Sequence, residues 1–264
     1  MDFADALDAA LAARAETTGE LPPGEQLALT LSQVRSVLPT ADNLGATQDD
    51  RDLYHLIDTV SDGVRSAFPG SRCQAGCSAC CHYPVSLFNV APAEWKAIAR
   101  HIETTWDRER LLGFVERFWR EHGPALFKMR VLGFLVTLPL PIIPRESAIP
   151  PACPFLEDDR CAVYPVRPAH CRSFGHFTVH YWWRRTPFIY GCLEQIARLR
   201  EALARPGQAP LPSLNPFDVK LWGLAPGKGK LLALWTARTW PRRTLERLSG
   251  TARGGEAAKA GPPR

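Results

Sequence analysis

The chain has 264 residues, 45% of them apolar and 22% charged, with a formal net charge of +5. That length and apolar content suffice to bury a sizeable core, and they exclude disordered, collagen-like and low-complexity classes for the chain as a whole. No run of about 18 apolar residues occurs, so no transmembrane segment is expected; the longest candidate, 131–143, is interrupted by Pro139 and Pro141.

Charge is uneven along the chain. Residues 1–60 carry a net charge of −8 and residues 223–264 a net charge of +7. A solvated basic tail accounts for the second value, so contact of this tail with nucleic acid or an anionic membrane is not expected. From Gly250 on, Gly, Ala, Pro and charge dominate, which predicts disorder over 250–264. The start, Met-Asp-Phe-Ala-Asp-Ala-Leu-Asp, lacks the basic and apolar regions of a secretory signal, and a cytoplasmic location is expected. In a reducing compartment the thiols stay free.

Apolar residues recur at helical spacing in several places. Phe3, Leu7 and Leu11 suggest a short N-terminal helix, broken by Leu21-Pro22-Pro23-Gly24. A second helix is predicted from about Asp50, with Leu53, Leu56, Ile57, Val60 and Val64 on one face and Pro69-Gly70 at its end. Pro92 fits the first turn of a long helix. That helix would carry Trp95, Ile98, Ile102, Leu112, Val115 and Trp119 and stop at Gly123-Pro124. The best strand signals are 131–138 and 177–183. Residues 139–154 contain six prolines, which forbids helix there. Cys192 opens a last helical stretch with Leu193, Ile196, Leu199 and Leu203. The expected fold is mainly α, with irregular proline-rich loops and few short strands, built as a compact metal-centred domain. The expected organisation is a helical extension over 1–69, a cysteine-cluster domain over 70–195, a helical extension over 196–249 and the basic tail over 250–264.

The cysteines carry the functional signal. All eight lie between positions 73 and 192. The first group is Cys73, Cys77, Cys80 and Cys81, a Cys-x3-Cys-x2-Cys-Cys run; the second is Cys153, Cys161, Cys171 and Cys192. Thiolates are soft ligands suited to zinc or iron–sulfur clusters, and four close a tetrahedral zinc site or hold a cubane cluster. Cys80 and Cys81 are adjacent and point in different directions in any regular structure, so they serve different roles or different sites. Gly76 would let the backbone approach closely. Arg72, Arg160, Arg167 and Arg172 lie beside the cysteines, where positive charge favours thiolate. A helix starting at Cys192 would add its N-terminal dipole. Phe155, Tyr164, Phe174, Phe177 and Tyr190 are candidates for shielding a cluster, and also for ordinary packing. His82 and His170 adjoin cysteines and are alternative ligands, although a surface or core role suits each better. His55, His101 and His122 have no motif around them. Only Cys77 and Cys80 show the knuckle spacing common in zinc sites, which favours an iron–sulfur cluster, [4Fe-4S], over zinc.

The runs Cys-Gln-Ala-Gly-Cys-Ser-Ala-Cys-Cys (73–81), Cys-Pro-Phe-Leu (153–156), Arg-Cys-Ala-Val-Tyr-Pro-Val-Arg-Pro (160–168) and Cys-Arg-Ser-Phe (171–174) resemble the YkgJ-type cysteine-cluster family. That family is described as a zinc- or iron-chelating domain with eight cysteines, and its cluster domain is similar to that of flagellin lysine N-methylase. The resemblance spans about residues 70–195. It implies metal ligation by Cys73, Cys77, Cys80, Cys81, Cys153, Cys161, Cys171 and Cys192, and it implies no particular reaction.

Four functional classes compete. The leading one is a metal-binding protein with an iron–sulfur cluster or zinc, supporting redox or protein-modification chemistry with a redox partner or protein substrate. A non-catalytic zinc scaffold is the alternative. A radical S-adenosylmethionine enzyme shares the Cys-x3-Cys-x2-Cys spacing, but Ala79 replaces the usual aromatic before the last cysteine and no strand–helix alternation is visible. A methyltransferase lacks its glycine-rich loop after a strand.

Overall fold

A computed structural model of the chain describes residues 22–45, 47–69, 76–82, 89–126, 152–180, 186–205 and 210–245. Its elements in chain order are helices α1 (Pro23–Val37), α2 (Leu53–Ala67), the single turn α3 (Ala79–His82), α4 (Pro92–Thr105) and α5 (Arg108–Glu121), strands β1 (Leu156–Glu157) and β2 (Arg160–Cys161), the short helix α6 (Ala169–Ser173), strands β3 (Phe177–Val179) and β4 (Phe188–Tyr190), and helices α7 (Leu193–Leu203), α8 (Asn215–Gly223) and α9 (Leu232–Thr239). The chain is therefore mainly helical, with two short two-stranded sheets. No helix among the described residues is long and apolar enough to cross a membrane.

The described residues fall into two compact units. One comprises those up to Cys80 together with Tyr164–Gly227, and the other those within Cys81–Val163 and from Lys228 on.

In the first unit, α1 packs on α2. Leu53, Leu56, Ile57, Val60 and Val64 are all buried, as the helical spacing predicts. Asp52 starts α2: its Oδ1 accepts from the Tyr54 N–H at 2.9 Å, while Oδ2 accepts from the Thr47 N–H at 2.6 Å and the Gly45 N–H at 3.1 Å. A fully buried carboxylate is tolerable because these donors replace its water. Pro22, Pro23 and Gly24 belong to the segment expected to break the N-terminal helix, which lies outside the described residues, and a new helix starts there. Pro23 opens α1, where its missing N–H costs nothing. Leu27 of α1 joins Val64, Phe68, Leu199 and Leu211 in one apolar cluster. The helical stretch expected after Cys192 is α7; Leu193 stands 78% exposed at its first turn, while Gln195 and Leu199 face inward. Strands β3 and β4 pair antiparallel with Phe177 opposite Tyr190; β3 occupies the start of the predicted 177–183 strand.

The second unit is built on aromatic rings. Phe114 stacks on Phe155 at 5.3 Å, Trp95 stacks on Trp235 at 5.8 Å, and Trp240 meets the edges of both Trp95 and Phe114. The indole donors are satisfied: Trp95 by Thr239 Oγ1, Trp119 by the Trp240 carbonyl and Trp235 by the Val90 carbonyl. Trp95, Phe114, Phe118, Phe155 and Trp240 are each buried. At roughly 1.5–3 kcal/mol per buried large side chain, this core stabilises the unit without any metal. The long helix expected from Pro92 is two helices, because the chain leaves α4 at Trp106 and Asp107 recaps α5 by accepting from the Arg110 N–H at 2.8 Å. The turn at Gly123-Pro124 ends α5 as expected.

Three predicted features lie outside the described residues: the helix of Phe3, Leu7 and Leu11, the strand over 131–138 and the tail over 250–264.

Candidate metal centre

Cys73 and Arg72 lie outside the described residues. None of the other seven cysteines is in a disulfide; Cys77 is exposed, and Cys80, Cys81, Cys153, Cys161, Cys171 and Cys192 are half-buried. Chemically the set fits zinc or iron: soft donors, unengaged in disulfides and within reach of the surface. Among the described residues, no three His, Cys, Asp or Glu side chains are grouped as a metal site.

The approach to the first cysteine group is set by Gly76, whose φ of 92° lies in the left-handed region that favours glycine. A Cβ at Gly76 would meet nothing within 4 Å among the described residues. The backbone conformation alone already requires glycine here. Cys77 precedes the turn α3, and Cys80 and Cys81 lie within it.

In the first unit, tertiary hydrogen bonds bring together the segments that carry Cys171 and Cys192. Cys171 lies in α6, its N–H donating to the Pro168 carbonyl at 2.8 Å. Cys192 caps α7, its carbonyl accepting from the Ile196 N–H at 2.9 Å. The two segments are joined where the Gly175 N–H donates to the Tyr190 carbonyl at 2.6 Å and the Gln195 amide donates to the Gly175 carbonyl at 3.1 Å. Gly175 has a φ of 83°, and a Cβ on Gly191 would come within 3.3 Å of the Gly175 Cα. Two glycines thus let these backbones touch.

In the second unit, a different bond joins the two cysteine groups. The Cys153 N–H donates to the Cys81 carbonyl at 2.8 Å. Cys153-Pro154-Phe155-Leu156 is then a turn closed by the Leu156 N–H on the Cys153 carbonyl at 3.0 Å, with proline at the position whose φ it presets. The turn leads into the β1–β2 hairpin, where Leu156 pairs with Cys161. Asp158 and Asp159 form its two-residue loop with φ of 46° and 58°, as the acidic turn requires. Beside it, an open cleft of about 480 Å³ is lined by Arg110, Glu157, Asp158, Arg160, Cys161 and Ala162. Cys161 is therefore approachable from solvent.

The charged neighbours do not all serve the thiols. Arg172 turns into the first unit: its guanidinium bonds to Asp58 and the Pro165 carbonyl, donates to the Arg167 carbonyl at 3.0 Å and lies 4.1 Å from the Tyr54 ring centre. Arg167 covers Tyr164 at 3.9 Å and also reaches Asp58. Arg160 remains at the cleft beside Cys161. His82 is exposed and faces Asp159 at 3.4 Å. His170 sits 3.8 Å from Asp218 and against Tyr190, and burial pushes its pKa down to about 4. The aromatic shield candidates are core residues: Phe155 packs on Phe114 and Trp95, Phe177 on Phe217 and Phe174 on Tyr190, while Tyr164 is 39% exposed.

Sequence reasoning gave His122 no role. It caps α5, its N–H on the Phe118 carbonyl at 2.8 Å, and its ring stacks on Phe118 at 5.2 Å. Nε2 contacts the Ala152 carbonyl at 2.8 Å, one residue before Cys153. No spacing in the sequence signals this contact.

Neither the search of curated proteins nor that of solved structures returned a significant match. One family model, CxxCxxCC, described as a "putative zinc- or iron-chelating domain", matches residues 72–188, a stretch that holds every cysteine except Cys192. Over those residues, less than half of the chain, the sequence is similar to that domain, in line with the cysteine-cluster family that its motifs resemble.

Proposed function

We propose that the protein holds iron or zinc through thiolates drawn from Cys73, Cys77, Cys80, Cys81, Cys153, Cys161, Cys171 and Cys192, with a [4Fe-4S] cluster favoured over zinc. The observation that carries the reading is the set of half-buried thiols, none in a disulfide, on segments joined by backbone hydrogen bonds, all but Cys192 within the region that matches a chelating domain. Once bound, a cluster would supply one-electron chemistry and zinc would supply a closed tetrahedral brace. The chain's own contribution is to hold thiols at fixed backbone positions and keep Cys161 and Cys77 near solvent. Such a protein belongs in a reducing compartment such as the cytoplasm, where thiols persist. The cysteine region over 70–195 would be its metal-binding domain.

The test is protein purified without oxygen, followed by visible absorption and analysis for iron, zinc and acid-labile sulfide. Brown protein with absorption near 400 nm and about four irons per chain supports the cluster. Colourless protein with one or two zincs supports the second reading, a non-catalytic zinc scaffold. Protein that takes up neither metal, even on reconstitution, overturns both.

A further inference from the structure

We propose that His122 is a positioning residue for the Cys153 thiol, acting through the one peptide unit that joins Ala152 to Cys153. This rests on the chelation reading above, because it assigns how one ligand is held.

The carbonyl of Ala152 and the N–H of Cys153 belong to the same planar amide. His122 Nε2 holds the carbonyl end at 2.8 Å, and the Cys81 carbonyl holds the N–H end at 2.8 Å. The plane is thus gripped at both edges. The next peptide plane is gripped too, because the Cys153 carbonyl accepts from the Leu156 N–H at 3.0 Å. With both flanking planes fixed, the Cα–Cβ direction of Cys153 is fixed, and χ1 alone still moves the sulfur.

The His122 ring is well suited to this. It is 3% exposed, locked by its stack on Phe118 and tied through its own N–H to the end of α5. A carbonyl only accepts, so the ring must carry its proton on Nε2 and leave Nδ1 bare. Nδ1 is buried with no hydrogen-bond partner among the described residues. A purely structural cap would be served as well by an apolar ring; the aligned donor is what serves the peptide of Cys153. Groups that orient a ligand from behind typically change metal affinity by about 10–100-fold when removed.

The experiment compares wild type with H122F and H122M, which keep apolar volume and delete the donor, and with H122Q, whose amide restores a donor. Co²⁺ is the probe metal, read by thiolate-to-cobalt absorption. In parallel, metal-free protein is alkylated briefly and the labelling of Cys153 relative to Cys161 is read by mass spectrometry. The expected result is a loss of Co²⁺ affinity of about tenfold or more in the apolar variants, a several-fold change in the Cys153-to-Cys161 labelling ratio, and recovery of both in H122Q. A folded apolar variant with wild-type affinity and ratio overturns the proposal, and so does an H122Q that behaves like H122F. Wild type that binds no Co²⁺ sinks the chelation reading, while the labelling ratio still decides the role of His122.

Discussion

The N–H of Cys153 and the carbonyl of Cys81 meet at 2.8 Å, so the two cysteine groups that the sequence keeps far apart share a backbone hydrogen bond. The bond does not involve either sulfur. Cys153→Ala or Cys171→Ala should therefore lower metal content per chain while leaving this backbone link in place. Elemental analysis after anaerobic purification checks it. Wild-type metal content in either variant would remove that residue as a ligand.

Arg172 is predicted to be structural despite its position next to Cys171. Its side chain is 3% exposed and bonds to Asp58, two carbonyls and the face of Tyr54. Removing the buried guanidinium leaves partly buried acceptors without their donor, so Arg172→Met should cost about 2 kcal/mol. Arg160→Met, at the exposed cleft, should change stability by less than about 0.5 kcal/mol. Urea titration of both variants measures the difference, and equal midpoints would refute the assignment.

Glycine has opposite meanings at two positions. Gly191→Ala would push a Cβ to 3.3 Å from the Gly175 Cα and 3.6 Å from the Ile196 side chain. Overpacking of this kind costs about 1–3 kcal/mol, and here it should also disturb the segment that carries Cys192. Gly113 lies exposed inside α5 with nothing within 4 Å of its Cβ position. Gly113→Ala should stabilise by roughly 0.5–1 kcal/mol through helix propensity. Thermal unfolding should move in opposite directions for the two variants.

Acid should weaken the metal-free protein before its carboxylates titrate. Burial holds the pKa of His122 below its ordinary 6.5 and pushes that of His170 down to about 4, although Asp218 lies 3.8 Å from His170. Above pH 6.5 both rings are neutral folded or unfolded, and their contribution is constant. As pH falls below 6.5 the unfolded chain takes up protons first, so stability declines toward the folded pKa. At ~1.4 kcal/mol per pKa unit, His170 accounts for about 3 kcal/mol by pH 4. Urea midpoints at pH 7 and pH 5 should differ in wild type and differ less in His170→Gln. An unchanged slope in that variant would reject His170 as the source.

Much of the fold was legible because its signals are local. The apolar spacing of Leu53, Leu56, Ile57, Val60 and Val64 depends only on the helical period, and all five are buried. The helix after Cys192 was equally readable. Failures came where one residue type has two local meanings. Pro23 can end one helix and open another, and no local pattern signalled the second; the apolar run from Trp95 to Trp119 likewise hid the recapping at Asp107.

The sequence by itself determined a mainly helical chain, a set of eight cysteines with the chemistry of metal ligands, and the likeness of residues 72–188 to a chelating domain. Only the tertiary structure decided which cysteine-bearing segments touch. The Cys81–Cys153 bond and the Gly175–Tyr190 bond are made by backbone groups that every residue possesses, so no side-chain pattern encodes them. The same reason hid His122, whose partner is a peptide carbonyl rather than a side chain. Such contacts exist only once burial has fixed the elements that carry them.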